Sequence, residues 1–487
     1  MGRRCWGRIA AGLSLLGTGC WTMQVTIPAA QPAPPAQVAH AAPTYAPAAV
    51  GEVSVSLDAV FRLAEAHNPR IGQAREKLNE TLLARQAECD RWLPNTYVGL
   101  AYYRHEGGIQ QENGTLLHSS TGALVPGLNI QSEWDLREST FRALDAQRRQ
   151  YQDQGELARI DNEVLLDAAT TYLDLLTARR AEAVAQELER QERRLLPRSE
   201  KRAEKEPAYR PELENVQATL AGRQALIAKL RQQGNAAMLK LAYLLGLPPG
   251  TTLVPMDRVV VPLDLVDVSP PTEALVARAM DTGPGVADLN GILNVIQTGL
   301  DKSYGLHNLL PTVQLNIFEG AFGAGPGGQL AFDNRFDVAV NLRWNVAELG
   351  QTEAKRRQAR SRQAQTMYAL NELRGKLALG VQEGKDAVLH GREQIGLNAE
   401  EVRRRSEGYR LSDQRLEKGA QGASTTEVLM SLRGLEQAHF NYLQAIAAHN
   451  KAQVRLLMLV GSPKALPATA PVPEAPPAML PVPKTGK

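Results

Sequence analysis

Cysteine is almost absent from this 487-residue chain: only Cys5, Cys20 and Cys89 occur. Cys5 falls in a leader-like N-terminus, so no intramolecular disulfide framework follows from the set. Aromatic residues make up 5% of the chain, too few for a large globular core of the usual kind. Neither sign of charge dominates, since 55 basic residues stand against 52 acidic ones for a net charge of +3. That balance excludes the basic stripe a nucleic-acid partner would need. After the leader there is no unbroken run of about 20 apolar residues, so no helix can span a bilayer, and any membrane crossing must be made by strands. Catalytic signatures are missing too. No Ser-His-Asp order, Cys-x-x-Cys pair or phosphate loop occurs, and the eight histidines include none set with carboxylates at ligand spacing. The chain therefore reads as a non-enzyme, with no candidate catalytic, cofactor or metal residue.

What is abundant is Ala, Leu, Glu, Arg and Gln, the composition of long helices and coiled coils. The chain also repeats itself. Pro69 and Pro284 lie 215 residues apart, Pro94 and Pro311 217, Trp134 and Trp344 210, and Gly246 and Gly461 215. Each half runs through a helix, a Leu-Pro strand start, a second alternating strand ending near Trp, a long charged helix and a heptad-patterned return helix. The halves are 51–265 and 266–463, joined near Pro262, Pro270 and Pro271. A Pro/Ala-rich tether, 21–50, precedes them, and a similar tail, 464–487, follows. Residues 1–20 read as an export signal: Arg3 and Arg4, an apolar stretch from Ile9 to Leu16, then small residues. Gly17-Thr18-Gly19-Cys20 resembles a lipoprotein cleavage box, with Cys20 as the lipidated residue; ordinary export with an inert Cys20 is the alternative.

The strands carry the sharpest local pattern. Leu128, Ile130, Ser132, Trp134 and Leu136 alternate with Asn129, Gln131, Glu133 and Asp135. Phe336, Val338, Val340, Leu342, Trp344 and Val346 alternate with Asp337, Ala339, Asn341, Arg343 and Asn345. The strands that open each pair are shorter: Val98, Leu100 and Tyr102 in one half, Val313, Leu315 and Ile317 in the other. Strict alternation over about ten residues means one apolar and one wet face. It suits a membrane-barrel strand, and a half-buried sandwich strand alternates in the same way. On the barrel reading Gln131, Glu133, Asp337, Asn341 and Arg343 face the lumen, while Trp134, Trp344 and Tyr102 form an interfacial aromatic girdle. Segments 105–126 and 320–335 read as Gly-rich, flexible exposed loops.

Helix follows from about 139 to 200, with a stripe at Leu157, Ile160, Val164, Ala168, Tyr172 and Leu175. At 1.5 Å per residue it would be ~90 Å long. In the return helix Leu213, Leu220, Ile227, Gly234 and Leu241 recur at sevens, as do Val216, Arg223, Leu230, Ala237 and Leu244. Val428, Leu435, Tyr442, His449 and Leu456 repeat the first series 215 residues later. Such spacing means coiled-coil packing, which makes His449 a packing residue rather than a ligand. The fold class is thus mainly α, with two repeats of two strands plus a long helical hairpin. Four strands leave two open edges, which hydrocarbon does not tolerate, so the barrel closes only by oligomerisation. Two copies give eight strands and a filled interior; three give twelve and an open, wet lumen, the better match to the polar faces.

These features resemble the TolC-like outer-membrane efflux proteins of bacteria over ~52–463. The matching pieces are Ala66-His67-Asn68-Pro69, Trp92-Leu93-Pro94, Trp134-Asp135-Leu136 and Trp344-Asn345-Val346. The final hairpin is similar as well: Gly419 through Ser424, Glu427, Val428 and Leu429, then Tyr442, Asn450 and Leu456-Leu457 before Gly461. The resemblance implies a homotrimeric duct, with a twelve-stranded barrel in outer-membrane lipid and an α-helical tunnel in the periplasm. It implies a periplasmic adaptor and an inner-membrane transporter as partners, and passive efflux as the function. It further implies that the turns at ~198–212 and ~413–426 are periplasmic tips. Gly419, Gly422, Ser424 and Thr425 are then adaptor-docking positions, with Glu427 or Glu206 near the aperture. Ser424 as a plain helix cap and Glu427 as a helix-dipole partner are the competing assignments. Two other functions stay open: the duct of a type I protein secretion system, and a periplasmic coiled-coil adaptor or scaffold with no barrel.

Overall fold

The computed structural model describes residues 51–90, 93–257, 260–326 and 331–460. They form two compact units, one of 77–154 and 288–369, the other of 51–76, 155–287 and 370–460. Neither repeat is a unit by itself. Each gives two strands to the first unit and a helical hairpin to the second. The expected leader, tether, Cys20 and tail lie outside the described residues.

The first unit is built on β2 (Asn95–Gln110), β3 (Leu116–Asp135), β5 (Thr312–Pro326) and β6 (Ala331–Arg343). They make one antiparallel sheet in the order β2-β3-β5-β6, so the two repeats meet along β3 and β5. The strands are much longer than their alternation announces. Segment 105–126, read above as a loop, is a ladder in which His105 pairs with Thr121 and Gln110 with Leu116. Alternation marks only a strand whose two faces differ; beyond Tyr103 both faces are mostly polar, with Ile109 and Leu117 on one and Leu116 on the other, and the ladder continues without that signature. The true turn is short. Asn113-Gly114, a strong hairpin signal, closes it with Gly114 at φ 83° and Gln111 N–H donating to the Thr115 carbonyl at 2.8 Å. Most of 320–335 is likewise strand; Gly327 and Gly328 lie outside the described residues. Gly320 is there for close approach rather than flexibility. It pairs with Gly127, and a Cβ at Gly320 would meet the Pro126 carbonyl oxygen at 2.3 Å. At the other end β6 stops at Arg343, not at Val346, because Val346 already begins a helix.

Parts of four helices complete this unit: α2 (Pro69–Asp90), α3 (Leu136–Arg193), α7 (Val286–Tyr304) and α8 (Val346–Glu417). Ile292, Ile296 and Leu300 of α7 pack with Tyr151 of α3 and Ala359 of α8.

In the second unit the rest of α3, then α4 (Leu196–Lys205) and α5 (Arg210–Leu244), form the first hairpin. The rest of α8 and α9 (Thr425–Val460) form the second. The helix expected to run unbroken over 139–200 ends at Arg193 and restarts at Leu196. Pro197 causes the break, since its ring displaces a carbonyl one turn back and it has no N–H to donate. The coiled-coil stripe is the core: Val164, Ala168, Tyr172, Leu175, Val216, Leu241, Val428 and Leu435 are all fully buried or nearly so.

Three smaller elements close this core: α1 (Leu57–His67), α6 (Thr272–Thr282) and a parallel pair of β1 (Glu52–Val55) with β4 (Thr252–Pro255). The Asn68-Pro69 step links α1 to α2. Asn68 Nδ2 donates to the Leu244 carbonyl at 2.8 Å, and its Oδ1 accepts from Arg70 N–H at 2.9 Å. Gly246, at φ 64°, lies so close to the His67 carbonyl that a Cβ would meet its oxygen at 2.3 Å. The extended join between repeats is strapped onto α9 by side-chain amides. Asn450 accepts from Leu263 N–H at 2.8 Å and donates to the Val261 carbonyl at 2.8 Å. Gln453 accepts from Leu265 and Val266 N–H, and buried His449 sits between the Val388 and Leu263 carbonyls at 3.2 and 3.1 Å.

One heptad position holds a charge. Arg223 bonds Glu192 of α3 through Nη2 at 2.7 Å and Glu436 of α9 through Nη1 at 2.6 Å, with the Arg223 and Glu192 side chains 3% and 0% exposed. Arg223→Ala is expected to cost about 3–5 kcal/mol, because Glu192 stays buried and unpaired, whereas the double change Arg223→Met with Glu192→Leu should recover most of it. Unfolding followed by circular dichroism reads both. His439 supplies a pH dependence: burial, with the Arg180 cation adding, lowers its imidazole from 6.5 to about 4. Because the folded value lies below the unfolded one, this contribution is complete above about pH 6.5 and is lost as pH falls toward 4. The unfolding midpoint should drop over that window, and less so in His439→Gln.

Candidate functional site

The sheet has two unlike faces. The register sets Trp134 beside Val313 and Val313 beside Leu342; Ile130 beside Ile317 and Ile317 beside Val338; Val98 beside Leu128. All of these share the apolar face, and much of it is bare, with Val98 83% and Val340 62% exposed. A contiguous apolar surface of this kind does not stay in water in a monomeric soluble protein. The opposite face holds all five residues read as lumen-facing. Gln131 pairs with Asn316, Glu133 with Gln314, Gln314 with Asn341, Asp337 with Phe318 and Arg343 with Thr312. Four of its charges are matched in two pairs. Arg343 reaches Glu133 at 3.4 Å, linking the two repeats, and Arg335 reaches Asp337 at 2.7 Å.

The aromatic residues mark both ends of the apolar face. Trp134 ends its row next to the helices, and Trp344 follows β6 at the same end, its Nε1 donating to the Leu309 carbonyl at 3.0 Å. Tyr102 pairs with Leu124 toward the far end and is largely exposed. β2 and β6 are the sheet's outer strands, each paired on one side only.

In the second unit the hairpin turns hold the other candidates. The first turn is narrower than 198–212: α4 runs to Lys205, and a 3-10 turn, Pro207–Tyr209, leads into α5. Glu206 is exposed and extended there, with Tyr209 N–H donating to its carbonyl at 3.1 Å. Arg202 braces this turn, its guanidinium lying 4.9 Å from the Tyr209 ring centre.

In the second turn Gly419 and Gly422 take φ of 62° and 79°, the left-handed region that glycine enters freely. Both are exposed. Ser424 caps α9, accepting from Glu427 N–H at 3.2 Å. Thr425 is only 2% exposed and lies inside the hairpin. Glu427 turns back to Arg415 at 3.0 Å, with the Ser412 hydroxyl also donating to it at 3.4 Å. Not singled out from sequence is Arg198, which ties the hairpins together through Glu417 at 2.8 Å and Asp413 at 3.5 Å. Arg198 and Asp413 are equivalent positions of the two repeats, 215 residues apart. That equivalence was the available signal.

No family model matches the sequence, and no curated protein sequence matches it. Solved structures do match. The outer-membrane channel OprN is 16% identical, with 83% of this chain and 89% of that one aligned at a TM-score of 0.65. The open state of the Neisseria gonorrhoeae MtrE outer membrane channel is 15% identical, covering 83% and 88% at 0.65. The Campylobacter jejuni CmeC outer membrane channel is 14% identical, covering 83% and 85% at 0.61. The chain has the fold of these outer-membrane channels. Ser424→Ala should cost about 1 kcal/mol through loss of the cap, and Ser424→Asp should retain it. Thermal unfolding of the purified protein measures the difference.

Proposed function

We propose that this protein is the outer-membrane channel of a tripartite efflux system, a passive homotrimeric duct extending into the periplasm. The observation that carries the reading is the four-stranded sheet with one bare apolar face, one polar face and two outer strands. In hydrocarbon every backbone N–H and C=O needs a partner, so those strands must pair with further copies. Three copies give twelve strands and room for a water-filled lumen, lined by Gln131, Glu133, Asp337, Asn341 and Arg343. Trp134, Trp344 and Tyr102 lie at the lipid interfaces. A scaffold without a barrel would leave the apolar face in water. The shared fold with outer-membrane channels supports the same reading.

The hairpin turns are the periplasmic tips. Gly419 and Gly422 present backbone to a helical adaptor, with Ser424 shaping the loop and Thr425 supporting it from inside. Glu206 and Glu427 lie near the aperture, Glu427 held by Arg415. Beyond the adaptor stands an inner-membrane transporter that selects the cargo, so the duct needs no catalytic residue. Residues 1–20 are the export signal, Cys20 carries lipid, and 21–50 tether it to the two repeats.

Purified protein in planar bilayers should give discrete, small openings and run as three copies by native mass spectrometry. Openings should widen in Glu427→Ala, which releases Arg415. A chain that stays soluble without detergent and never inserts would overturn the reading.

A further inference from the structure

The first unit contains a cleft for which the duct gives no role. It encloses about 790 Å³ among α2, α3, α7 and α8. Its floor is apolar: Phe141 and Leu144 of α3, and Val295, Ile296 and Leu300 of α7. Its walls carry eight Lys and Arg side chains against four Asp and Glu, and Lys77 and Arg356 are already paired outside the lining, with Asp153 at 3.3 Å and Glu353 at 3.8 Å. Two of the lining carboxylates are engaged, Asp145 by Arg148 at 2.7 Å and Arg149 at 2.9 Å, and Glu88 by Arg142 at 3.8 Å. Glu80 and Glu138 are the others.

Lys355 and Arg362 stand out. They lie seven residues apart on one face of α8, about 10 Å along it, and both are exposed. Many cations on the solvated helix faces pair within three or four residues, as Arg159 does with Glu156 and Glu163, though Lys229 and Arg374 do not; Lys355 and Arg362 differ from those two in lining the cleft. Among the described residues Lys355 and Arg362 have no such carboxylate.

The cleft begins at the sheet. Arg137 lies two residues after Asp135, the last residue of β3, and the cleft residue Thr352 is in the second turn of α8. With the apolar face in lipid, Arg137 and Thr352 lie at the level of the periplasmic phosphates, and Lys355 and Arg362 lie about 13 and 24 Å along α8 from its first residue, on the water side of that level.

We infer that this cleft binds an anionic amphiphile: a phosphate-bearing lipid with its acyl chain on the Phe141–Ile296 floor and its phosphate between Lys355 and Arg362. The depth of the site rests on the channel reading; the binding chemistry does not. The ligand can come from the membrane or, as an anionic amphiphile, from the water side.

Full-length protein in neutral maltoside detergent is titrated by calorimetry with palmitoyl lysophosphatidic acid and with palmitoyl lysophosphatidylcholine. The acid should bind at least about tenfold more tightly, and Lys355→Gln with Arg362→Gln should weaken it about tenfold per group. The charge-retaining pair Lys355→Arg with Arg362→Lys should keep the preference, and unchanged circular dichroism excludes misfolding as the cause. Equal affinity for the two lipids, or an unaffected double variant, overturns the inference. Lipid extracted from protein taken directly from membranes separates the sources. Anionic phospholipid retained by the parent and lost from the double variant assigns the membrane, and binding in the titration without such retention assigns the water side. Conductance of the same preparation is independent, so binding without channels would strike the duct reading alone.

Discussion

A strand edge carries a row of backbone donors and acceptors, and in hydrocarbon none of them can find water. On the proposed channel reading, the architecture of the first unit follows from that constraint. Four strands bare an apolar face yet leave β2 and β6 open, so on that reading the chain is incomplete as a single copy. The proposed trimer removes the edges without adding sequence. It also turns Glu133, Arg343, Arg335 and Asp337 toward water, where their mutual pairing limits the net field of the lumen.

The second unit meets a different demand, keeping long amphipathic helices in register. Apolar heptads supply most of the adhesion, but they are permissive about sliding. Directional contacts are placed where sliding would begin. Arg223 joins α3, α5 and α9 through Glu192 and Glu436. Asn68 fastens the start of α2 to the end of α5, and Asn450 and Gln453 hold the join between repeats against α9. A buried ion pair of this kind contributes little net stability, and the hypothesis that it sets register is the better use for it.

Much of this was legible in the sequence. The heptads at Val216, Leu220 and Ile227 become the buried stripe, and Gln131, Glu133, Asp337, Asn341 and Arg343 share one sheet face. The misses have physical causes. Strand reaches past Tyr103 because hydrogen-bond ladders need no hydrophobic contrast, and contrast is all that alternation reports. The break at Arg194 and Leu195 needed only Pro197 to be weighed more heavily. The cleft beneath the sheet had no signature at all, because its lining comes from four helices drawn from both repeats.

By itself the sequence determined which side of each strand and helix is apolar, that the unit occurs twice, and that no stretch after the leader is apolar for long enough to cross a bilayer as a helix. These are local properties, set by side-chain period and propensity. Only the tertiary structure decided that β3 of one repeat pairs with β5 of the other. It alone placed Arg198 against its own repeat-equivalent Asp413 and, among the described residues, left Lys355 and Arg362 without an ion-pair partner beside an apolar floor. Such choices depend on which distant segments meet, and periodicity says which face will be buried without saying against what.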